Sequence, residues 1–172
     1  QVGLSMATTT LVGNSIGAGN KKLALMYAHC CLLLGLTIQV ITVLITLYFR
    51  YEIPALYTHD VDVQELFIKL LAIYCIFAIP DSGSVILHGI IKGFGKQKWA
   101  SISALTMLYP VNIPLAYTLC YYFDMKVLGL WTSQCIVIFS LNICYTLVYI
   151  YTDLDDVVKE IEDMNKNEEK KA

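Results

Sequence analysis

Ile79–Gln97, IPDSGSVILHGIIKGFGKQ, sets one carboxylate, Asp81, inside an apolar run with no neighbouring cation to pair with. The run that contains it, Leu66 to Ile91, is long enough for a transmembrane helix, which needs about 20 mainly apolar residues. An ionised carboxylate at membrane depth costs at least ~2.5 kcal/mol even on the lenient insertion scale, so such residues usually face a cavity or a bundle interior and mark an ion or substrate path. Pro80 stands beside the acid and, as an in-helix proline, is expected to kink the span there.

Working outward, the composition agrees with a membrane solvent. The 172 residues are 57% hydrophobic and only 15% charged, against about 45–50% apolar and 25% charged in a soluble domain. The reading is an all-α, multi-pass integral membrane bundle: residues 1–151 hold one partial and four full spans, and residues 152–172 form a charged tail. The net charge of −2 hides a split, since the tail from Thr152 onward carries eight acids and four lysines and the first 151 residues six acids and eight bases. No basic stripe interleaved with aromatics supports nucleic-acid binding. The six cysteines lie in apolar runs without CxxC spacing, which argues against a zinc site or a secreted disulfide framework.

The chain opens at Gln1 inside a small-residue, Thr-rich apolar stretch with no charged leader, and reads as the C-terminal part of a longer protein rather than a signal peptide. Val2 to Ala18 has the Gly, Ser, Thr and Ala content of a helix packed closely on others. GAGN, Gly17 to Asn20, ends it through residues that accept the left-handed conformation. Leu23 to Phe49 is the plainest span, Arg50 to Glu65 a loop, Leu66 to Ile91 the second span, Trp99 to Phe123 the third and Val127 to Tyr151 the last. Tyr145, Tyr149 and Tyr151 near its end suit an interfacial aromatic belt. In the tail, Leu154, Val157, Val158, Ile161 and Met164 have helical spacing, as in a short surface helix. Lysines concentrate in the GAGNKK and KGFGKQK turns, so the positive-inside rule puts both turns and the C-terminus in the cytoplasm.

Ser84 and His88 follow Asp81 at i+3 and i+7 and share its helix face. Either they form a polar track toward the cytoplasm with His88 as a proton relay, or His88 is simply solvated near the cytoplasmic interface. Pro110 and Pro114 are expected to bend their span and free carbonyls toward a cavity, where Tyr109 and Asn112 either contact substrate or pack between helices. Gln39, Gln134 and Asn142 suit interhelical hydrogen bonding. No nucleophile, base and orienting group come together in sequence, so an enzyme is not expected, and neither is a cofactor or resident metal.

Four ordered motifs resemble one family, the multidrug and toxic-compound extrusion (MATE) transporters. Leu11 to Ala24, LVGNSIGAGNKKLA, resembles that family's R-V-G-N-x-L-G-A-G-N-P-x-x-A pattern after its eighth helix. Asp81 to Lys98 resembles D-x-x-Q-x-V-x-x-G-x-x-R-G-x-G-x-Q at the end of the tenth. Tyr109 to Leu115 resembles the eleventh helix's Y-x-x-x-x-P-L, and Val127 to Trp131 the G-x-x-G-L-W that opens the twelfth. Leu11, Lys21, Ser84 and His88 depart from the residues usual in those motifs.

The resemblance implies a C-terminal-lobe fragment of a cation-coupled antiporter that exports organic, often cationic compounds in exchange for protons or sodium ions. It implies that Asp81 is the coupling carboxyl: deprotonated it attracts a cationic substrate, and protonated it does not. The implied partners are the lipid bilayer, a small organic substrate and the missing N-terminal lobe. Two other activities stay open on the residues alone, a lipid or lipid-linked precursor flippase of related fold and a truncated, non-transporting membrane module.

Overall fold

The structure, a computed structural model, describes residues 1–159. Its helices run in order α1 (Val2–Gly17), α2 (Lys21–Tyr48), α3 (Glu52–Tyr57), α4 (Val61–Gly93), α5 (Gln97–Thr106), α6 (Asn112–Tyr117) and α7 (Lys126–Tyr151), before the helical residues of the tail. Two π-helical turns, Met107–Val111 and Thr118–Tyr122, join α5 to α6 and extend α6, so that Gln97–Tyr122 runs as one span. That span, α2, α4 and α7 are long and apolar enough to cross a membrane. Large apolar side chains such as Leu33, Leu44, Ile113 and Leu147 stand exposed along them, as a hydrocarbon solvent permits.

The GAGN and KGFG segments fold the same way. Gly19 and Gly95 take φ of +70° and +76°, which glycine alone adopts without a Cβ penalty. At the first turn Gly19 N–H donates to Ile16 O and Asn20 N–H to Ser15 O, both at 2.9 Å. At the second, Gly95 N–H reaches Lys92 O at 2.9 Å and Lys96 N–H reaches Ile91 O at 3.1 Å. Each is a Schellman motif that satisfies the last carbonyls of its helix. Asn20 is not left-handed as expected; its φ is −98°, and its side chain accepts from Leu23 N–H to cap α2.

The stretch expected as a loop, Arg50 to Glu65, contains α3 and the first turns of α4. Pro54 sits in the first turn of α3, where a missing N–H has no helical acceptor to lose. Asp60 starts α4 five residues before the expected span, its carboxylate accepting from Asp62 and Val63 N–H. Polar capping, which an apolar run does not report, sets these boundaries.

α4 is the axis of the bundle and packs against α1, α2 and α7. The core lies at the end of the Schellman turns, where Val12, Ile16, Ala28, Ile86, Ile90 and Phe94 are buried together. Residues 154–159 are helical; Val157 and Val158 are buried in this core, and Asp155 pairs with Lys21 of the α1–α2 turn. The short surface helix expected in the tail is thus docked against the bundle as far as Lys159, and Ile161 and Met164 lie outside the described residues. The tail, the GAGNKK turn and the KGFGKQK turn share one end of the molecule, the same grouping that the lysine distribution predicts.

Candidate functional site

Side chains tie α4 to each neighbour through its own carbonyls. Ser5 and Thr9 of α1 donate to Val85 O and Gly89 O at 2.7 and 2.9 Å, and Asn142 of α7 donates to Pro80 O at 2.7 Å. In the other direction Ser82 donates to Gly35 O of α2 at 3.2 Å. Proline 80 has no N–H, which leaves the carbonyl one turn earlier without its helical donor; the helix nevertheless continues through it. These bonds fix the height and rotation of the segment that carries Asp81.

Asp81 itself is half-buried, and no hydrogen bond or ion pair from a described residue reaches its carboxyl group. One turn on, Ser84 is 4% exposed and its Oγ has no hydrogen-bond partner. One further turn brings His88, whose Nε2 is buried and also without a partner. The His88 ring lies flat on Tyr145 of α7, with centroids 5.6 Å apart and planes at 7°. Native interiors leave few such polar atoms unsatisfied, and each calls for an explanation such as bound water or a functional role.

The geometry leaves His88 half-buried, with its ring against Tyr145 of α7 and its Nε2 buried. It corrects the aromatic-belt reading of Tyr145, which is 3% exposed and donates to Ala100 O at 3.1 Å. Tyr149 is partly buried, its Oη 3.2 Å from His29 Nε2, and only Tyr151 of the three stands out as a belt residue does. Tyrosines at a helix end look alike in sequence; which of them faces the core depends on the rotation of α7. The three amides are interhelical as expected: Gln39 accepts from Gln1, Gln134 accepts from Asn112, and Asn142 reaches Pro80.

The remaining candidates lie on the third span. Pro110 falls inside the first π turn and Pro114 inside α6, four residues before the second π turn. Tyr109 is 59% exposed. Asn112 donates to Gln134 at 2.9 Å and keeps a buried, unpartnered Oδ1. Among the described residues no hydrogen bond joins this pair to Asp81, so the structure brings Asp81, Ser84 and His88 onto one helix face and leaves Tyr109 and Asn112 on another element. Sequence reading missed Tyr145 as the partner of His88 and Ser82 as the tie to α2; periodicity marks a buried face without naming its contacts.

The MatE family model matches residues 1–118. A probable multidrug resistance protein NorM of Pasteurella multocida is 34% identical over 116 residues, covering 67% of this chain and 25% of its own length. Uncharacterized transporter C4B3.13 of Schizosaccharomyces pombe is 33% identical over 129 residues, 75% of this chain and 24% of that protein. Multidrug and toxin extrusion protein 1 of Oryctolagus cuniculus is 28% identical over 144 residues, 84% of this chain and 25% of that protein. The crystal structure of the eukaryotic MATE transporter AtDTX14 superposes with a TM-score of 0.86 at 23% identity, covering 95% of this chain and 36% of that one. The chain therefore spans about a quarter of the length of these curated relatives. Its helices, its ordered motifs and the match over residues 1–118 agree, and the chain belongs to the MatE family of integral membrane proteins.

Proposed function

We propose that this chain forms part of the C-terminal lobe of a secondary active antiporter that exports organic, often cationic compounds in exchange for protons or sodium ions. The observation that carries the reading is Asp81: a carboxyl group within a membrane-capable helix, half-buried and free of hydrogen bonds and ion pairs from the described residues. A carboxylate kept for structure alone is normally neutralised by a partner, and an intramembrane acid without one marks a transport path. Ionised, Asp81 attracts a cation; once it has bound a proton or sodium ion, that attraction is gone. This exclusivity couples the two fluxes. The first lobe and the bilayer are the partners the mechanism needs, because alternating access rocks one repeat against the other about a central site. Neither a cofactor nor enzymatic chemistry enters this mechanism, and the tail and lysine-bearing turns face the cytoplasm.

The test is substrate efflux from vesicles by the complete protein, wild type against Asp81→Asn, under an imposed proton gradient and then a sodium gradient. Gradient-driven efflux that disappears in Asp81→Asn at normal expression supports the reading. Equal transport by both proteins removes Asp81 from the mechanism. Labelled lipid translocation without either gradient favours a flippase, and no transport of any kind favours a non-transporting module.

A further inference from the structure

We propose that the cleft between α2 and α7 holds an acyl chain of an anionic phospholipid, whose head group lies along His29 and Lys22 at the end of the bundle that carries the Schellman turns. The cleft has a volume of about 500 Å³ and is walled by Leu32 and Leu36 of α2, Pro80 and Leu87 of α4, and Phe139 and Ile143 of α7. All three helices are long and apolar enough to cross a membrane. Phe139, Ile143 and Ile150 are exposed where they line it, so the cleft opens onto the same surface that meets hydrocarbon elsewhere on the bundle.

The cleft lies on the far side of α4 from Asp81. At 3.6 residues per turn, Gly83, which lines it, is about 200° round the helix from Asp81. Gly89, set against Ser5 of α1, is only about 80° from the acid. This division of faces rests on the antiport reading above, in which the first lobe closes over the Asp81 side of α4. The opposite cleft is then left to the bilayer.

One end of the cleft is polar and cationic. Tyr149 Oη lies 3.2 Å from His29 Nε2, and the Tyr149 ring is itself stacked on Phe94, with centroids 6.0 Å apart. When the tyrosine hydroxyl donates to Nε2, the imidazole proton sits on Nδ1, a donor for an ester or phosphate oxygen. Lys22 precedes His29 by two turns on the same stripe of α2, about 10 Å away along the axis, so the two reach different parts of one head group. Lys22 is exposed and has no ion pair among the described residues. Its neighbour Lys21 is taken by Asp155, while Asp153 and Asp156 line a separate cleft with Lys96 and Trp99. Positive charge therefore stands uncompensated where the apolar cleft ends, and the N-terminal dipole of α2 adds to it. A basic site between membrane helices at the bilayer surface selects anionic head groups.

The experiment uses the complete protein in phosphatidylcholine vesicles that contain a trace of phosphatidylglycerol with a diazirine on its acyl chain. After photolysis, labelled residues are mapped by mass spectrometry. Labelling is expected on the α2 and α7 walls of the cleft, displaced by unlabelled phosphatidylglycerol and not by phosphatidylcholine. Lys22→Gln should lower it about fivefold, the worth of one basic residue near an anionic surface, and Lys22→Arg should keep it. Ile143→Trp, which fills the cleft, should abolish labelling, whereas Leu33→Trp, at a similarly exposed position outside the cleft, should not. Equal labelling by a phosphatidylcholine probe marks ordinary boundary lipid and overturns the proposal. So does undiminished labelling in Lys22→Gln and Ile143→Trp, or an unlabelled cleft, which means that protein covers it. Efflux separates this proposal from the antiport reading. Loss of efflux in Asp81→Asn with an unlabelled cleft refutes the lipid site alone, and unchanged efflux in Asp81→Asn with the expected labelling refutes the antiport reading alone.

Discussion

Replacing Gly89 by alanine should push α1 away from α4. A methyl group at this position would stand 2.6 Å from Ser5 O and 2.7 Å from Ser5 Oγ, where ordinary contact begins at 3.4 Å. The obstacle is backbone, so relief requires moving a helix by about 0.8 Å rather than rotating a side chain. That shift would carry the Ser5–Val85 and Thr9–Gly89 hydrogen bonds, now 2.7 and 2.9 Å, beyond their working range. Overpacking costs about 1–3 kcal/mol, and two interhelical hydrogen bonds in a membrane add about 1 kcal/mol together. Alanine returns up to about 1 kcal/mol through helix propensity. The same replacement at Gly13 is the matched control: it lies on the same α1–α4 contact, but its methyl group meets Gly93 O at an unstrained 3.6 Å. Both variants gain propensity, so the difference between them isolates the clash, at about 2–4 kcal/mol. Equilibrium unfolding of the chain in detergent, followed by tryptophan fluorescence, measures it. Equal stability of Gly89→Ala and Gly13→Ala would refute the close-packing argument.

Other outcomes follow from the same contacts. Asn142→Ala removes the bond to Pro80 O and should destabilise by about 0.6–1.7 kcal/mol in the same assay; no change would show that α7 does not hold the proline segment. At the tail, Lys21→Ala should cost under about 1 kcal/mol, because the Asp155 pair is exposed and screened by salt. Val157→Asp should instead release the tail, since the side chain is 3% exposed and a charge there has no partner. Limited proteolysis after Tyr151 should accelerate strongly in Val157→Asp and little in Lys21→Ala. The reverse order would place the docking energy in the ion pair.

Much of the fold follows from local chemistry that sequence displays. Apolar runs of sufficient length mark the four spans, because a hydrocarbon solvent tolerates little else. Glycines in GAGN and KGFG mark the helix stops, and the small, hydroxyl-rich Val2–Ala18 segment marks a tightly packed helix, borne out where Gly89 meets Ser5. The lone acid in an apolar run singles out Asp81 without any coordinates. The span boundaries near Arg50 to Glu65 were less legible, because Asp60 and Pro54 act through capping geometry rather than hydropathy.

Rotation was beyond the reach of the sequence. Whether His88 is solvated or packed, whether Tyr145 belongs to a belt or to the core, and which carbonyl Asn142 reaches all depend on how α4 and α7 are turned about their axes. A helix that is apolar on every side carries little periodic signal to set that angle. The sequence determined that this chain is a membrane bundle with an acid in its interior, since those properties are imposed by solvent and by local backbone chemistry. Tertiary packing alone decided that Ser84 Oγ and His88 Nε2, already on the acid's helix face by their spacing, stay buried and unclaimed, because only the fit of neighbouring helices determines which hydrogen-bonding groups have already been used.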